Sequence, residues 1–202
     1  MCFNAEVSLG TYIAGSAGSL LLASHNLPLG LLYLTVVQMQ LVEYLLWRNP
    51  SCDAAVNRAA TRAGIVVNHV EPLVFYLALL GTGVVIPLEA HLVVLLYTFV
   101  ASGYTKEALE TVQCTTLDGK RGCSPHLYWK WNDLRGKQVV YGLFLATLIT
   151  LSLSAGDVEH AWISVATFGV SALLYSKTSA VGSMWCFIAA FLPWFLLHRY
   201  TL

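Results

Sequence analysis

The chain has 202 residues, of which 57% are hydrophobic and only 11% are charged, and its mean hydropathy is +0.66. A soluble domain is about 25% charged, so these few charges exclude a water-facing surface of ordinary composition. Lys and Arg together number 11, as do Asp and Glu, so no excess of positive charge is present to attract a nucleic acid. The composition predicts an integral membrane protein and disfavours a soluble enzyme, a disordered chain and a nucleic-acid binder.

Apolar stretches of membrane-spanning length follow one another along the chain. A helix needs roughly 20 mostly apolar residues to cross a bilayer core of about 30 Å. The stretches are apolar throughout and lack the alternation of a membrane β-barrel strand. The predicted spans are residues 8–24, 28–47, 64–81, 84–103, 138–155, 160–176 and 179–198. We therefore predict an all-α, polytopic membrane helix bundle of seven transmembrane helices, which forms a single domain over residues 1–202 with a long cytoplasmic loop at residues 104–137.

The positions of the positive charges predict the orientation, because cytoplasmic loops collect Lys and Arg. With seven spans, the N-terminal segment and the second, fourth and sixth loops share one side, and they contain every Lys and Arg except Arg199. This segregation predicts a cytoplasmic N-terminus and a C-terminus on the opposite side. The first span carries Glu6 and no preceding Lys or Arg, so we interpret it as a helix rather than a signal peptide.

Ionisable and amide side chains inside the spans are the candidate functional residues, because such groups are costly in a membrane. They are Gln40 and Glu43 on the second helix, Asn68, His69 and Glu71 on the third, and Glu89 and His91 on the fourth. Carboxylates and imidazoles relay protons well, so we predict a proton or cation path. Glu43, His69 and Glu71 would form its inner station at one shallow depth, and Glu89 with His91 its outer station. The alternative is that these groups satisfy one another or reach the membrane interface.

The cysteines offer a different kind of site. The predicted orientation places Cys2, Cys52, Cys114 and Cys123 in the cytoplasm, where free thiols are favoured over disulfides. Cys114, Cys123 and His126, with Cys2 or Cys52 as the fourth member, would supply four zinc ligands. Their spacing matches no standard zinc finger, so isolated thiols are the alternative.

An aromatic and basic segment follows these loop cysteines. Tyr128, Trp129 and Trp131 lie beside Lys130 and Arg135, which is typical of a band that anchors a protein at the membrane interface. The lipid bilayer is therefore a predicted partner, and the oligomeric state is left open.

Four segments of the chain carry a resemblance to a known family. They are MCFNAEVSL at the start, VQMQLVEYLLW in the second span, GKRGCSPHLYWKW in the long loop and GSMWCFIAA near the end. They resemble uncharacterised multi-pass membrane proteins that begin Met-Cys-Phe-Ser, although Asn4 replaces the Ser here. The resemblance implies relatives in bacteria and in giant viruses or marine protists, so a viral origin and a host or virion membrane are expectations. It implies no activity.

Three functional classes stay open at this point. The intramembrane Glu and His residues favour a transporter or channel for a small solute, a proton or another cation. The cytoplasmic Cys and His residues favour a membrane-embedded enzyme instead, and a scaffold is the third class. Retinal is not expected as a cofactor, because Lys177 precedes the last span and no Lys lies within it.

Overall fold

A computed structural model describes residues 4–118, 126–175 and 181–201 of the chain. The α-helices of these residues are α1 (Ala5–His25), α2 (Leu27–Arg48), α3 (Ala55–Gly81), α4 (Leu88–Thr111), α5 (Lys137–Ser154), α6 (Val158–Tyr175), α7 (Val181–Ala189) and α8 (Leu192–Thr201). Two short strands, β1 (Thr116–Asp118) and β2 (His126–Tyr128), and a 3-10 turn at Lys130–Asp133 lie between α4 and α5.

Local sequence signals set several of the helix boundaries. The side-chain oxygen of Asn4 accepts a hydrogen bond from the Val7 amide, and Asn26 caps α2 through the Leu29 amide in the same way. These caps satisfy amides that have no partner within the helix. Pro193 lies in the first turn of α8, and the last apolar stretch is interrupted between α7 and α8 just before it. Proline explains this break, because its ring cannot continue a preceding helix.

The helices form a bundle around α2, which is the most extensively buried of the membrane-length helices. It packs against α1, α3, α7 and α8. The turn between α1 and α2 is tight, since a Cβ atom on Gly30 would lie only 2.4 Å from Ala23. Only a glycine can occupy a backbone approach of this kind. The apolar core runs through the bundle from Leu29 at the start of α2 to Leu46 near its end.

The two ends of the bundle differ. At one end, which we call the open end, the helices α1, α3, α5 and α8 have their C-termini. The side-chain amide of Asn26 donates a hydrogen bond to the Tyr200 hydroxyl there. At the other end, β1 and β2 form an antiparallel hairpin that pairs Leu117 with Leu127. We call this hairpin together with the 3-10 turn the cap, and its end of the bundle the capped end.

The cap is part of the core. Trp129 and Trp131 are fully buried, and their rings stack with centroids 5.1 Å apart. A Cβ atom on Gly64 of α3 would lie 3.5 Å from Trp131, and one on Gly182 of α7 would lie 2.7 Å from the Asn132 amide nitrogen. The prediction that Trp129 and Trp131 form an interfacial anchoring band is therefore wrong, because the loop folds back over the bundle and buries both rings.

The all-α prediction is confirmed in its coarse form. Within the described residues, six helical stretches are long and apolar enough to cross a membrane: α1 to α5, and residues 181–200 across α7 and α8. This composition identifies an integral membrane protein. The helix α6 lies against α5 and α7 but is not among the six, because Glu159 and His160 in its first turn lower its hydropathy. The count of seven spans stays a prediction.

Two predicted spans differ from the helices in extent. α3 begins at Ala55, nine residues before the predicted start at Gly64, and α4 runs on to Thr111. Polar residues near the capped end can be helical and buried because they are paired, as Asn57 and Thr61 are with Thr115. Residue 176 of the sixth predicted span and residues 179 and 180 of the seventh lie outside the described residues.

Cys52 and Cys114 form a disulfide that joins the α2–α3 loop to the chain after α4, with Cα atoms 5.3 Å apart. The prediction of free thiols is therefore wrong for this pair. Hydrogen bonds hold the same two segments together: the Asn57 side chain donates to the carbonyl of Thr115 at 3.0 Å and accepts from its amide at 3.0 Å. The sequence could not show this pairing, because 62 residues separate the two cysteines.

Candidate functional site

Glu71 is the most unusual polar residue in the bundle. Its side chain is completely buried, and neither carboxylate oxygen has a hydrogen-bond partner within the part of the chain that the structure describes. Buried polar groups in folded proteins are nearly always hydrogen-bonded, because an unpaired one loses its water without compensation. The Glu71 carboxylate is therefore a candidate binding site for a proton or a cation.

The depth of Glu71 differs from the sequence prediction. At about 1.5 Å per residue, Glu71 lies roughly 24 Å from Ala55 and roughly 15 Å from Gly81 along α3. One turn beyond it, Phe75 contacts His160. His160 lies in the first turn of α6, in the half of the bundle next to the open end, which we call the open half. Glu71 therefore lies near the middle of its helix rather than at the shallow depth that it was predicted to share with Glu43. The predicted depth was too small because the predicted span began at Gly64, whereas α3 begins at Ala55.

Glu43 occupies a different level, roughly 7 Å from the end of α2 at Arg48. Its carboxylate is buried and accepts a hydrogen bond from the Ser183 hydroxyl of α7. Gln40 and Ser8 lie beside the same carboxylate. Glu43 is thus partnered where Glu71 is not, so the two carboxylates form a deep and a shallow position rather than one station.

Cys186 connects these two positions. It lies one turn after Ser183 on α7, is completely buried as a free thiol, and is within electrostatic range of both Glu71 and Glu43. The polar groups of α2, α3 and α7 therefore face a common interior. Neither Ser183 nor Cys186 was predicted as a site residue, because a hydroxyl or a thiol in an apolar span carries no signal of its own.

Asn68 ties the site to the cap. Its side-chain amide donates to the Tyr141 hydroxyl of α5 at 2.9 Å, and that hydroxyl donates to the Asn132 side chain in the cap. Tyr104 of α4 also donates to the cap, at the Trp131 carbonyl. These bonds place the cap over the Glu43 and Glu71 side of the bundle.

His69 has one satisfied and one unsatisfied nitrogen. Its Nδ1 lies 2.7 Å from the Ile65 carbonyl and must donate a proton to it, so Nε2 carries a lone pair. Nε2 is buried and has no partner among the described residues. The Tyr97 hydroxyl donates to the His69 carbonyl at 2.7 Å, one turn before Pro72 interrupts the backbone bonding of α3.

The predicted outer station is not joined to this site. Glu89 is exposed in the first turn of α4. His91 is half-buried and its Nδ1 lies 2.8 Å from the Tyr76 hydroxyl.

One of the predicted zinc ligands, Cys114, is not available to bind a metal. Cys114 is bonded to Cys52, and its sulfur is not a thiolate while that bond is present. Cys2 and Cys123 lie outside the described residues, and of His126 only the main chain is described. Among the described residues, no three His, Cys, Asp or Glu side chains come close enough together to hold a metal ion.

A second buried polar cluster, which the sequence analysis did not single out, lies in the open half. His160 is completely buried, with Nδ1 2.7 Å from the Ser152 hydroxyl and Nε2 2.9 Å from the Tyr33 hydroxyl. Ser152 donates to the Leu148 carbonyl, so His160 donates from Nδ1 and accepts from Tyr33 at Nε2. Every ring nitrogen and hydroxyl in this cluster is paired.

No family model, no curated protein and no solved structure matches this chain.

Proposed function

We propose that this integral membrane protein is a transporter or channel for a proton or small cation, and that the Glu71 carboxylate binds the transported ion. The observation that carries the proposal is the complete burial of Glu71 without a hydrogen-bond partner among the described residues. A carboxylate with a purely structural role would be paired, as Glu43 is with Ser183. An unpaired one gains its stabilisation from the ion that it binds.

The neighbouring groups fit this role. Glu43 lies nearer the capped end and provides a second carboxylate on the same interior, and the Nε2 of His69 provides a basic nitrogen without a partner. An imidazole can exchange a proton near neutral pH, and a carboxyl group can do so when it is buried. The Asn68–Tyr141–Asn132 bonds connect this interior to the cap, so ion movement past the capped end would involve the cap.

The enzyme alternative has less support. It required thiols or a metal at Cys2, Cys114, Cys123 and His126, and Cys114 is part of a disulfide.

The orientation is part of the proposal. Among the described residues, every Lys and Arg except Arg199 belongs to the segments on the side of the cap, which supports a cytoplasmic N-terminus and a cytoplasmic cap. The Cys52–Cys114 pair would then face a reducing compartment, where disulfides are transient and respond to oxidation.

Proton flux into liposomes tests the function. We expect purified protein to carry protons down an imposed pH gradient, and a Glu71→Gln variant to lose this flux while keeping its melting temperature, because Gln keeps the shape and cannot exchange the proton. Glu107→Gln is the matched control, since Glu107 is an exposed carboxylate on α4. Flux in Glu71→Gln equal to that of the wild type would refute the proposal. A second series with Na⁺ and K⁺ gradients distinguishes a proton from a metal cation.

A further inference from the structure

A groove separates α3 from α4 on the outside of the bundle. Its volume is about 460 Å³, and it is open along one side. α3 packs extensively against α2 but only loosely against α4, which leaves this space. Val66, Val70 and Leu73 line it from α3, and Ala101 and Leu109 line it from α4. In a bilayer such a groove faces the lipid, because Phe99 and Leu95 on α4 are strongly exposed beside it.

The length of the groove matches one leaflet. Its lining on α4 runs from Thr98 to Glu110, which spans roughly 18 Å at 1.5 Å per residue. Half of a bilayer, counted with its headgroup region, is roughly 20 Å thick. The groove begins in the middle of α4 and ends near Thr111 at the capped end. Its apolar part can therefore hold an acyl chain of a lipid from the leaflet on the side of the cap.

The rim of the groove carries one charge of each sign. Lys106 and Glu110 are one turn apart on α4, both are exposed, and both line the groove close to the helix end. Neither takes part in an ion pair within the described part of the chain. A phosphate beside Lys106 and an ammonium beside Glu110 would pair both charges at headgroup depth.

We propose that the α3–α4 groove is a binding site for a phosphatidylethanolamine-type lipid. Its acyl chain lies between Val66, Val70 and Ala101, its phosphate pairs with Lys106, and its primary ammonium donates to Glu110. A choline headgroup fits less well because its quaternary ammonium has no N–H to donate. An anionic headgroup without an amine leaves Glu110 unpaired and repels it.

The lipid site adjoins the polar interior. His69 lines the groove from α3, so a bound chain closes the bundle beside His69. The proposal does not rest on transport, because neither the lining nor the rim includes Glu71. Loss of lipid selectivity and loss of ion flux are separate results.

Native mass spectrometry of the purified protein with lipid added in detergent tests the site. We expect retention of phosphatidylethanolamine over phosphatidylcholine and phosphatidylglycerol of the same acyl chains. Lys106→Ala and Glu110→Gln should each weaken its binding by about tenfold, the value of one charge-assisted hydrogen bond. Ser102→Trp should reduce binding of all three lipids, because Ser102 is exposed in the groove and the indole would occupy it.

Lys130→Ala and Glu107→Gln are the matched controls. Both side chains are exposed, and neither lines the groove, so both variants should bind like the wild type. Equal retention of the three lipids, unchanged by Lys106→Ala and Glu110→Gln, would mean ordinary lipid contact and would overturn the proposal. Preferred retention of phosphatidylglycerol would overturn the headgroup assignment and with it the role of Glu110.

Discussion

The two halves of the bundle each bury a histidine and several polar groups, but they differ in whether these groups have hydrogen-bond partners. In the open half, His160 is paired at both nitrogens by Ser152 and Tyr33, although no cap covers this end. In the capped half, both oxygens of Glu71 and the Nε2 of His69 have no partner among the described residues, although the cap lies above them.

This difference separates two uses of a buried polar group. Burial alone does not distinguish them, because His160 and Glu71 are equally inaccessible. Pairing distinguishes them, since a paired group holds helices together and an unpaired one is available to a ligand. The cap is bonded to the half of the bundle in which Glu71 and the Nε2 of His69 have no partner among the described residues.

The largest effect that we expect concerns the covalent link of the capped end. The Cys52→Ser, Cys114→Ser double variant should lose about 4 kcal/mol of unfolding free energy relative to the oxidised wild type, because the denatured chain regains the freedom of a long closed loop. Thermal melting in detergent measures the loss. Reductant should bring the wild type to the level of the variant and leave the variant unchanged.

The capped end also offers a test of the orientation. In intact cells we expect an N-terminal tag to be protected from external protease, because a cytoplasmic N-terminus lies on the side of the membrane that the protease cannot reach. A tag that is cleaved from outside, together with a disulfide that persists in the cell, would reverse the orientation and place the cap in an oxidising compartment.

The open half should yield a smaller loss of stability and no loss of flux. His160→Ala leaves the Tyr33 and Ser152 hydroxyls without their partner and opens a cavity, which should cost about 3 kcal/mol. Flux per folded molecule should stay at the wild-type level, the reverse of the pattern expected for Glu71→Gln. His91→Ala is the comparison for stability, because His91 is half-buried and bonded to Tyr76 alone. A flux lost with His160 would place the ion path in both halves.

The smallest effect should come from the rim of the open end. Arg199 bonds to Asp157 at 3.1 Å and to Glu159 at 3.0 Å, with partly exposed side chains. Arg199→Ala should cost about 0.5 kcal/mol, and less at high salt, because water and ions screen exposed pairs. Melting at low and high ionic strength checks both statements. A loss much above about 1 kcal/mol would show that this pair stabilises the open half as strongly as a core contact does.

Much of the helical framework could be predicted, and the site only in part. The bounds predicted for α1, α2 and α5 differ from the helices by three residues at most, because an apolar run between Asn caps or glycine turns leaves little choice of boundary. Gln40, Glu43, Asn68, His69 and Glu71 were found because polar groups in apolar helices stand out. Their partners Ser183 and Tyr141 were not found, because a hydroxyl in a span carries no signal of its own.

The amino-acid sequence by itself determined the membrane class, the helical secondary structure and the helices that carry the polar groups. Each of these follows from local composition and from the hydrogen-bonding demand of a backbone in lipid. The tertiary structure decided which polar groups are paired, how deep Glu71 lies, that Cys52 meets Cys114, and that Trp129 and Trp131 are core residues. These depend on contacts between segments far apart in the chain, and no local pattern encodes such contacts.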